Sequence, residues 1–307
     1  MQIFDTIKNI TLPKSSTCIA LGLFDGLHTG HMAVIAAAVE KAKAAGLAPA
    51  VFTFTTNISA PAHKQPLKII TAGLFEDILS SIGVEYVFRP DFSEFSGIAP
   101  VDFINLLIGS FGAAYLFCGE NFRFGKNAAA AAGDIYALCG NPEMAAVIPL
   151  VGDSAGTVSS SRIRELVQSG NIACANKLLG HRFSIDFKVV HGRALGRTLG
   201  TPTINQPFPA DFAIPKFGVY ATVTKIGGCI YSSVTNVGVK PTVSSDCALA
   251  ETYIHDFAGN LYGACPIVEF VEFIRPEQKF PSLDMLKSQI LKDSITAEKI
   301  IKSQITN

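Results

Sequence analysis

Gly22-Leu23-Phe24-Asp25-Gly26-Leu27-His28-Thr29-Gly30-His31 decides how this chain reads, because two histidines three residues apart stand between an apolar run and an Ala-rich helical pattern. Ile19-Ala20-Leu21 reads as a buried strand, the glycines permit a tight turn, and Met32 to Ala45 reads as a helix whose first amides face that turn. Free amides at a helix start attract anions. Two imidazoles beside them would donate hydrogen bonds to a phosphate as charge builds in a displacement, with neither a covalent intermediate nor a metal-bound histidine. The plainer reading is that His28 and His31 only cap or line a helix start, and the rest of the chain has to choose between the two.

Outward from that stretch, apolar runs at Ile19-Leu21, Ala50-Phe54, Tyr86-Phe88, Tyr115-Phe117 and Ala146-Pro149 alternate with helical patterns such as Met32-Ala45 and Leu74-Ile82. This α/β alternation predicts a doubly wound parallel sheet, with ligands at the carboxyl ends of its strands. Gly119-Glu120-Asn121-Phe122-Arg123-Phe124-Gly125 lies at a second such end. Val158-Ser159-Ser160-Ser161-Arg162-Ile163-Arg164 precedes a helix-like stretch, with hydroxyls at the N-cap and two arginines in the first turn. A capped helix explains the serines, but cations there oppose the helix dipole unless they and the free amides hold an anion such as a triphosphate.

After Gly180 the pattern changes to strand-like runs at Phe187-Val190, Gly218-Thr224, Ile230-Val237 and Ile267-Phe273, separated by Gly, Pro and Asn turns. These predict a second domain, an antiparallel β-barrel or sandwich, ending in a helix from a Ser282 cap to Ile300. The boundary falls near Leu179-Arg182, giving domains 1–180 and 181–307. Ala128-Ala132 reads as an inserted flexible loop tip. His191-Gly192-Arg193-Ala194-Leu195-Gly196-Arg197 is a Gly- and Arg-rich turn suited to phosphates, although a hairpin with solvated arginines has the same composition. Glu251 and the oxygens of Thr203 and Asn205 would supply a base and ligands for a hard cation if the fold gathers them.

Composition narrows the partners. The 307 residues are 49% hydrophobic and carry no net charge, with 12 basic against 14 acidic residues through Gly180 and 13 against 11 beyond it. No basic block argues for nucleic acid, so phosphate recognition should be local and the partners small metabolites. Seven scattered cysteines, odd in number and never spaced CxxC, oppose a disulfide framework or a zinc site and suit a reducing cytoplasm. No secretory signal or membrane span is expected, and the uncharged run Phe103 to Gly119 is interrupted by Asn105, Gly109, Ser110 and Gly112. It reads as helix, turn and strand. The sequence indicates no oligomeric state.

GLFDGLHTGH resembles the GxFDGxHxGH signature of the nucleotidylyltransferase superfamily, in the form found in bifunctional riboflavin kinase/FAD synthetases. HGRALGRTLGTPTIN is similar to the riboflavin kinase segment ending in PTAN, and NVGVKPT, ETYIHDF, LYG and FIR follow in the family's order. The resemblance covers almost the whole chain. It implies a kinase domain that makes FMN from riboflavin and ATP, and an adenylyltransferase domain that makes FAD from FMN and a second ATP, releasing pyrophosphate. By motif position, His28 and His31 would contact ATP phosphates, with Gly22, Phe24 and Asp25 shaping the site. Asn121 and Arg123 would line the same pocket, and Ser160, Ser161 and Arg164 would hold phosphates. In the kinase domain the resemblance makes Thr203 and Asn205 the Mg2+ and phosphate residues and Glu251 the base, with Gly192, Gly196 and Arg197 bordering ATP.

Three departures are visible: Thr55-Thr56-Asn57-Ile58-Ser59 where the family often has Pro-His-Pro, Lys126-Asn127 and alanines after FRFG, and Ile204 for the usual Ala. They leave open a riboflavin kinase whose first domain adenylylates poorly. A flavin sensor without turnover is opposed by the set Thr203, Asn205 and Glu251, and nucleotidyl transfer to an unrelated phosphate leaves the barrel unexplained.

Overall fold

The computed structural model describes residues 1–55, 66–192, 201–239 and 247–305. The chain forms two compact units, Met1–Gln65 with Phe75–Ser159 and Pro66–Leu74 with Ser160–Asn307.

Through the first half the elements run β1 (Gln2–Phe4), β2 (Thr17–Leu21), α1 (Thr29–Ala45), β3 (Ala48–Phe52), α2 (Ala72–Ser81), β4 (Tyr86–Phe88), α3 (Pro100–Gly109) and β5 (Ala113–Gly119). The short β6 (Arg123–Phe124) and β7 (Ala130–Ala131), α4 (Ile135–Leu138), β8 (Ala145–Ile148) and the hairpin of β9 (Gly152–Asp153) and β10 (Gly156–Thr157) complete it. The main sheet has the order β1-β4-β3-β2-β5-β8, and every pair is parallel. Every position of β2 is buried, as a strand covered on both faces requires. From β2 the chain builds outward through β3 and β4, then returns to β2's other side with β5. The strand order therefore reverses between β2 and β5, where doubly wound sheets open a crevice at their carboxyl ends.

The expected parallel sheet is present, with two local differences. The edge strand β1 had no sequence signal. Ala128-Ala132 is not a flexible tip: β7 pairs with β6, and Ala130 and Ala132, 4% and 2% exposed, join the apolar core with Phe103, Phe111 and Phe124. Small side chains serve there because the neighbouring rings leave little room.

The second unit holds α5 (Ser160–Ser169), α6 (Ile172–Leu179), β11 (Ser184–Ile185), β12 (Thr203–Pro207), β13 (Gly218–Ile226), β14 (Cys229–Val239), β15 (Ala248–Ile254), β16 (Ile267–Arg275) and a C-terminal helix, Leu283–Ile305. Its antiparallel sheet has the order β11-β16-β13-β14-β15-β12. The two edges approach each other: Val190 bridges Asn205, and the Gln206 amide donates to the carbonyls of Phe187 at 2.6 Å and Pro266 at 3.0 Å. The curled sheet matches the expected barrel. The strand expected at Phe187-Val190 is displaced, however, because β16 pairs with Ser184 and Ile185 instead.

Alternate residues of these strands face opposite ways. Thr222, Thr224, Ser233, Thr235 and Thr252 point to one side, fully buried, and satisfy one another through hydroxyl contacts of 2.8 Å. On the other side Val219, Ala221, Val223 and Val234 pack against Ala297 and Ile301 of the C-terminal helix. Arg275 pins that helix through Asp293, with contacts of 2.7 to 3.1 Å. No described helix is long and apolar enough to cross a membrane.

Two candidate active sites

At the end of β2 the backbone turns sharply. Phe24, Gly26 and Leu27 adopt φ values of 55°, 83° and 44°, and Leu27 N–H closes on the Phe24 carbonyl at 3.2 Å. A left-handed Phe and Leu are strained, and burial of both side chains holds them there. Gly22 is required on steric grounds: a Cβ there would lie 2.8 Å from the Phe24 ring. That ring meets His31 edge-on, with centroids 5.3 Å apart and planes at 89°. Asp25 sits half-buried within the same turn.

His28 is the N-cap of α1, its Nδ1 accepting from the backbone N–H of His31 at 3.2 Å. An accepting Nδ1 places the proton of the neutral ring on Nε2, so a donor faces away from the helix. The rings of His28 and His31 stack at 3.5 Å between centroids. Burial pushes His28 down to about 4, and burial followed by the adjacent His28 charge pushes His31 down to about 2. Both rings are therefore neutral at pH 7, and the positive end of α1 supplies the fixed charge.

A pH dependence of stability follows. The unfolded chain binds the His28 proton below about pH 6.5 while the folded chain resists it to about 4, so stability is full above that window and falls as pH drops through it. The contribution is about 3 kcal/mol. Urea midpoints should fall more steeply between pH 7 and pH 4.5 for the wild type than for His28→Asn, and parallel slopes would contradict the assignment.

GENFRFG follows β5, directly beside β2 at the strand reversal. It brings Asn121 and the exposed Arg123 to the same carboxyl edge as the histidines. Gly22 and Arg123 also line a cavity walled by Phe54, Phe92, Phe95 and Phe122. Sequence reasoning missed the first three of these aromatics. The DFSEF spacing at 91–95 carried the signal, since Phe92 and Phe95 lie on one short 3₁₀ turn and its cap.

Ser160 and Ser161 open α5 in the second unit, and Arg164 follows just past its first turn. Arg164 Nε donates to the Leu67 carbonyl at 2.6 Å, with Nη1 3.4 Å from Ser161 Oγ. One role of this arginine is thus to hold the Pro66–Leu74 segment onto its unit.

In the curled sheet, Asn205 of β12 and Asn236 of β14 stand opposite Glu251 of β15, one on either side. Directly opposed residues in antiparallel pairs project to the same face. Thr203, two residues from Asn205, shares that face. Asn205 is 6% exposed and is covered by the backbone of Gly192, where a Cβ would lie 2.5 Å from the Asn205 amide nitrogen. Glycine is therefore dictated at 192. His191 stacks on Tyr262 at 3.8 Å, joining the Gly/Arg turn to the LYG segment. The structure thus gathers Gly192, Thr203, Asn205 and Glu251. Gly196 and Arg197, and most of the Thr55-Ser59 departure, lie outside the described residues.

A riboflavin kinase family model matches residues 179–301, and an FAD synthetase family model matches residues 11–162. The bifunctional riboflavin kinase/FMN adenylyltransferase of Escherichia coli strain K12 is 33% identical over 316 residues, covering 97% of each chain. The protein of the same name from Bacillus subtilis strain 168 is 32% identical over 292 residues, 91% of each chain. A crystal structure from Streptococcus pneumoniae, named a macrolide-efflux protein, shares the fold with a TM-score of 0.85 and 31% identity, over 97% of this chain and 98% of its own. With two family models matched in sequence and relatives similar over nearly their full length, this chain belongs to the bifunctional riboflavin kinase/FMN adenylyltransferase family.

Proposed function

We propose that the chain carries its family's two reactions at separate sites. Residues 1–180 transfer AMP from ATP to FMN, giving FAD and pyrophosphate, and residues 181–307 phosphorylate riboflavin to FMN. The observation that carries this reading is the pair of unlike constellations, a histidine pair capping a helix at a parallel-sheet reversal and an Asn–Glu row on an antiparallel sheet.

In adenylyl transfer an FMN phosphate oxygen attacks the α-phosphorus of ATP and the bond to pyrophosphate breaks. The chain supplies no nucleophile. His28, through Nε2–H, and His31 donate to phosphate oxygens as charge builds, supported by the α1 amides. Gly22, Phe24 and Asp25 keep the turn in shape. The aromatic cavity suits a planar flavin ring, which would stack on its phenyl groups, with Asn121 and Arg123 at the nucleotide side. The role of Ser160, Ser161 and Arg164 in holding phosphate rests on their motif alone. Gly22→Ala forces a methyl into the Phe24 ring and should cost about 1–3 kcal/mol of stability. FAD formation from supplied FMN should fall with it while riboflavin phosphorylation persists; full FAD formation would show that the turn tolerates displacement.

In the kinase reaction Glu251 accepts the proton of the ribityl hydroxyl as that oxygen attacks the γ-phosphorus. Thr203 and Asn205 offer neutral oxygens, and among the described residues no cluster of three His, Cys, Asp or Glu stands ready to hold a metal. That donor set suits Mg2+, which takes few protein ligands and relies on phosphate oxygens. When bound with ATP, Mg2+ would neutralise phosphate charge. By motif, Gly192, Gly196 and Arg197 would border the nucleotide, Gly192 by giving its backbone close approach. All seven cysteines are free, which supports a reducing cytoplasm as the location.

The test is a time course of the purified protein with riboflavin, ATP and magnesium, resolved by chromatography. FMN should appear first and FAD after it. FMN accumulating without FAD would overturn the adenylyltransferase assignment, and unchanged riboflavin would overturn the kinase assignment.

A further inference from the structure

Glu251 has a second neighbour in its row. Asn236 stands opposite it on β14, as Asn205 does on β12, so the three side chains share one face with Cβ atoms about 4.5–5.5 Å apart in each pair. The Asn236 amide nitrogen donates to Glu277 Oε1 at 3.3 Å. Glu277 comes from the segment after β16, and its carboxylate lies over Gly238, two residues beyond Asn236 and on the same face. A Cβ at Gly238 would collide with that carboxylate, so the glycine makes the room that Glu277 fills. Gly238 has no left-handed φ to account for its being glycine. A primary amide held by one carboxylate has a fixed flip, and its remaining N–H and its oxygen then point in set directions along the row.

We infer that Asn236, oriented by Glu277 over Gly238, is a positioning residue of the kinase site that holds the Glu251 carboxylate in line with the attacking hydroxyl. The inference rests on the reading of Glu251 as the base. A glutamate on a half-buried strand face can adopt several side-chain torsions, and an amide donor beside it selects the orientation that reaches substrate. Misplacement by about 1 Å costs on the order of 100-fold in rate.

The experiment measures kcat and KM for riboflavin and for ATP in the full chain. Asn236→Ala, Glu277→Ala and Gly238→Ala should each lower kcat roughly 10- to 100-fold, with KM values within about twofold of wild type. Glu277→Gln should recover most of what Glu277→Ala loses, because its amide oxygen still accepts from Asn236. The double variant Asn236→Ala/Glu277→Ala should be no slower than the slower single one, since both act through one contact. KM values for riboflavin and ATP near those of wild type report that the kinase sheet of each variant is folded, and FAD formation from supplied FMN reports the same for the first half of the chain. Losses confined to KM, a Glu277→Gln as slow as Glu277→Ala, or losses that multiply would overturn the inference. Glu251→Gln is run alongside: if it keeps wild-type kcat, the base reading fails and this inference with it, whereas a crippled Glu251→Gln beside an unaffected Asn236→Ala overturns this inference alone.

Discussion

Glu251→Gln should lower FMN formation by about 10²- to 10⁴-fold, the usual worth of a general base in the transition state. The substitution is nearly isosteric, so the pairing of β15 with β12 and β14 should persist and the chain should fold as before. What disappears is the ability to take a proton. A ribityl hydroxyl is far too weak an acid to ionise unaided at neutral pH, so its attack on phosphorus requires an acceptor within hydrogen-bond reach. The loss should fall on kcat rather than on KM, because the proton is transferred only in the transition state. FAD formation from supplied FMN and ATP should be unchanged. Rapid kinetics of FMN formation would settle it: a variant within a few-fold of wild type leaves some other group as the base.

His28→Ala and His28→Asn should both depress FAD formation from supplied FMN by about 10²- to 10³-fold, the cost of removing one transition-state donor. They should differ in stability. His28 caps α1 by accepting from the His31 N–H, and alanine cannot, at a cost of about 0.5–2 kcal/mol. Asparagine is among the best N-caps and keeps that contact, but its shorter side chain does not reach where Nε2 stood. Similar rates with different thermal midpoints would separate the capping role from the chemical one. If His28→Asn retained wild-type FAD formation, His28 would be only a cap, the plainer reading that its sequence always allowed. Riboflavin phosphorylation should be indifferent to both changes.

Much of the fold is legible in local sequence. β2, β3, β4 and β5 announce themselves because the inner strands of a parallel sheet are covered on both faces and run nearly continuously apolar, and β8 is legible as an apolar run at the sheet's half-buried edge. Helix α1 is legible from its alanines and from the histidine at its start, although it begins at Thr29, earlier than Met32, because the His28 cap engages His31. Elements held by distant partners are less visible. β1 is three residues long and exists through its pairing with β4, more than eighty residues away. β12 carries two prolines at or beside its ends and polar residues within, and its strand character comes from β15. β15 did carry a signal, the strict alternation of Ala248, Ala250, Thr252 and Ile254 with half-buried residues between. Only its motif was recognised.

The sites divide along the same line. His28 and His31 are three residues apart, so one turn of helix brings them together and the sequence by itself determined their meeting. It likewise determined the two-domain order, the chemistry available in each motif and the family, since these reside in local strings. That Glu251 lies between Asn205 and Asn236 was decided by ladder register over separations of 46 and 15 residues. The tertiary structure alone also decided that Gly192 covers Asn205 and that the cavity beside Arg123 is walled by phenylalanines from separate segments. Periodicity shows which face of a strand is buried, but slipping the pairing by one residue would turn Glu251 away from both asparagines. Which register wins is set by the hydrogen bonds and packing of the whole sheet, a sum over distant residues that no local stretch contains.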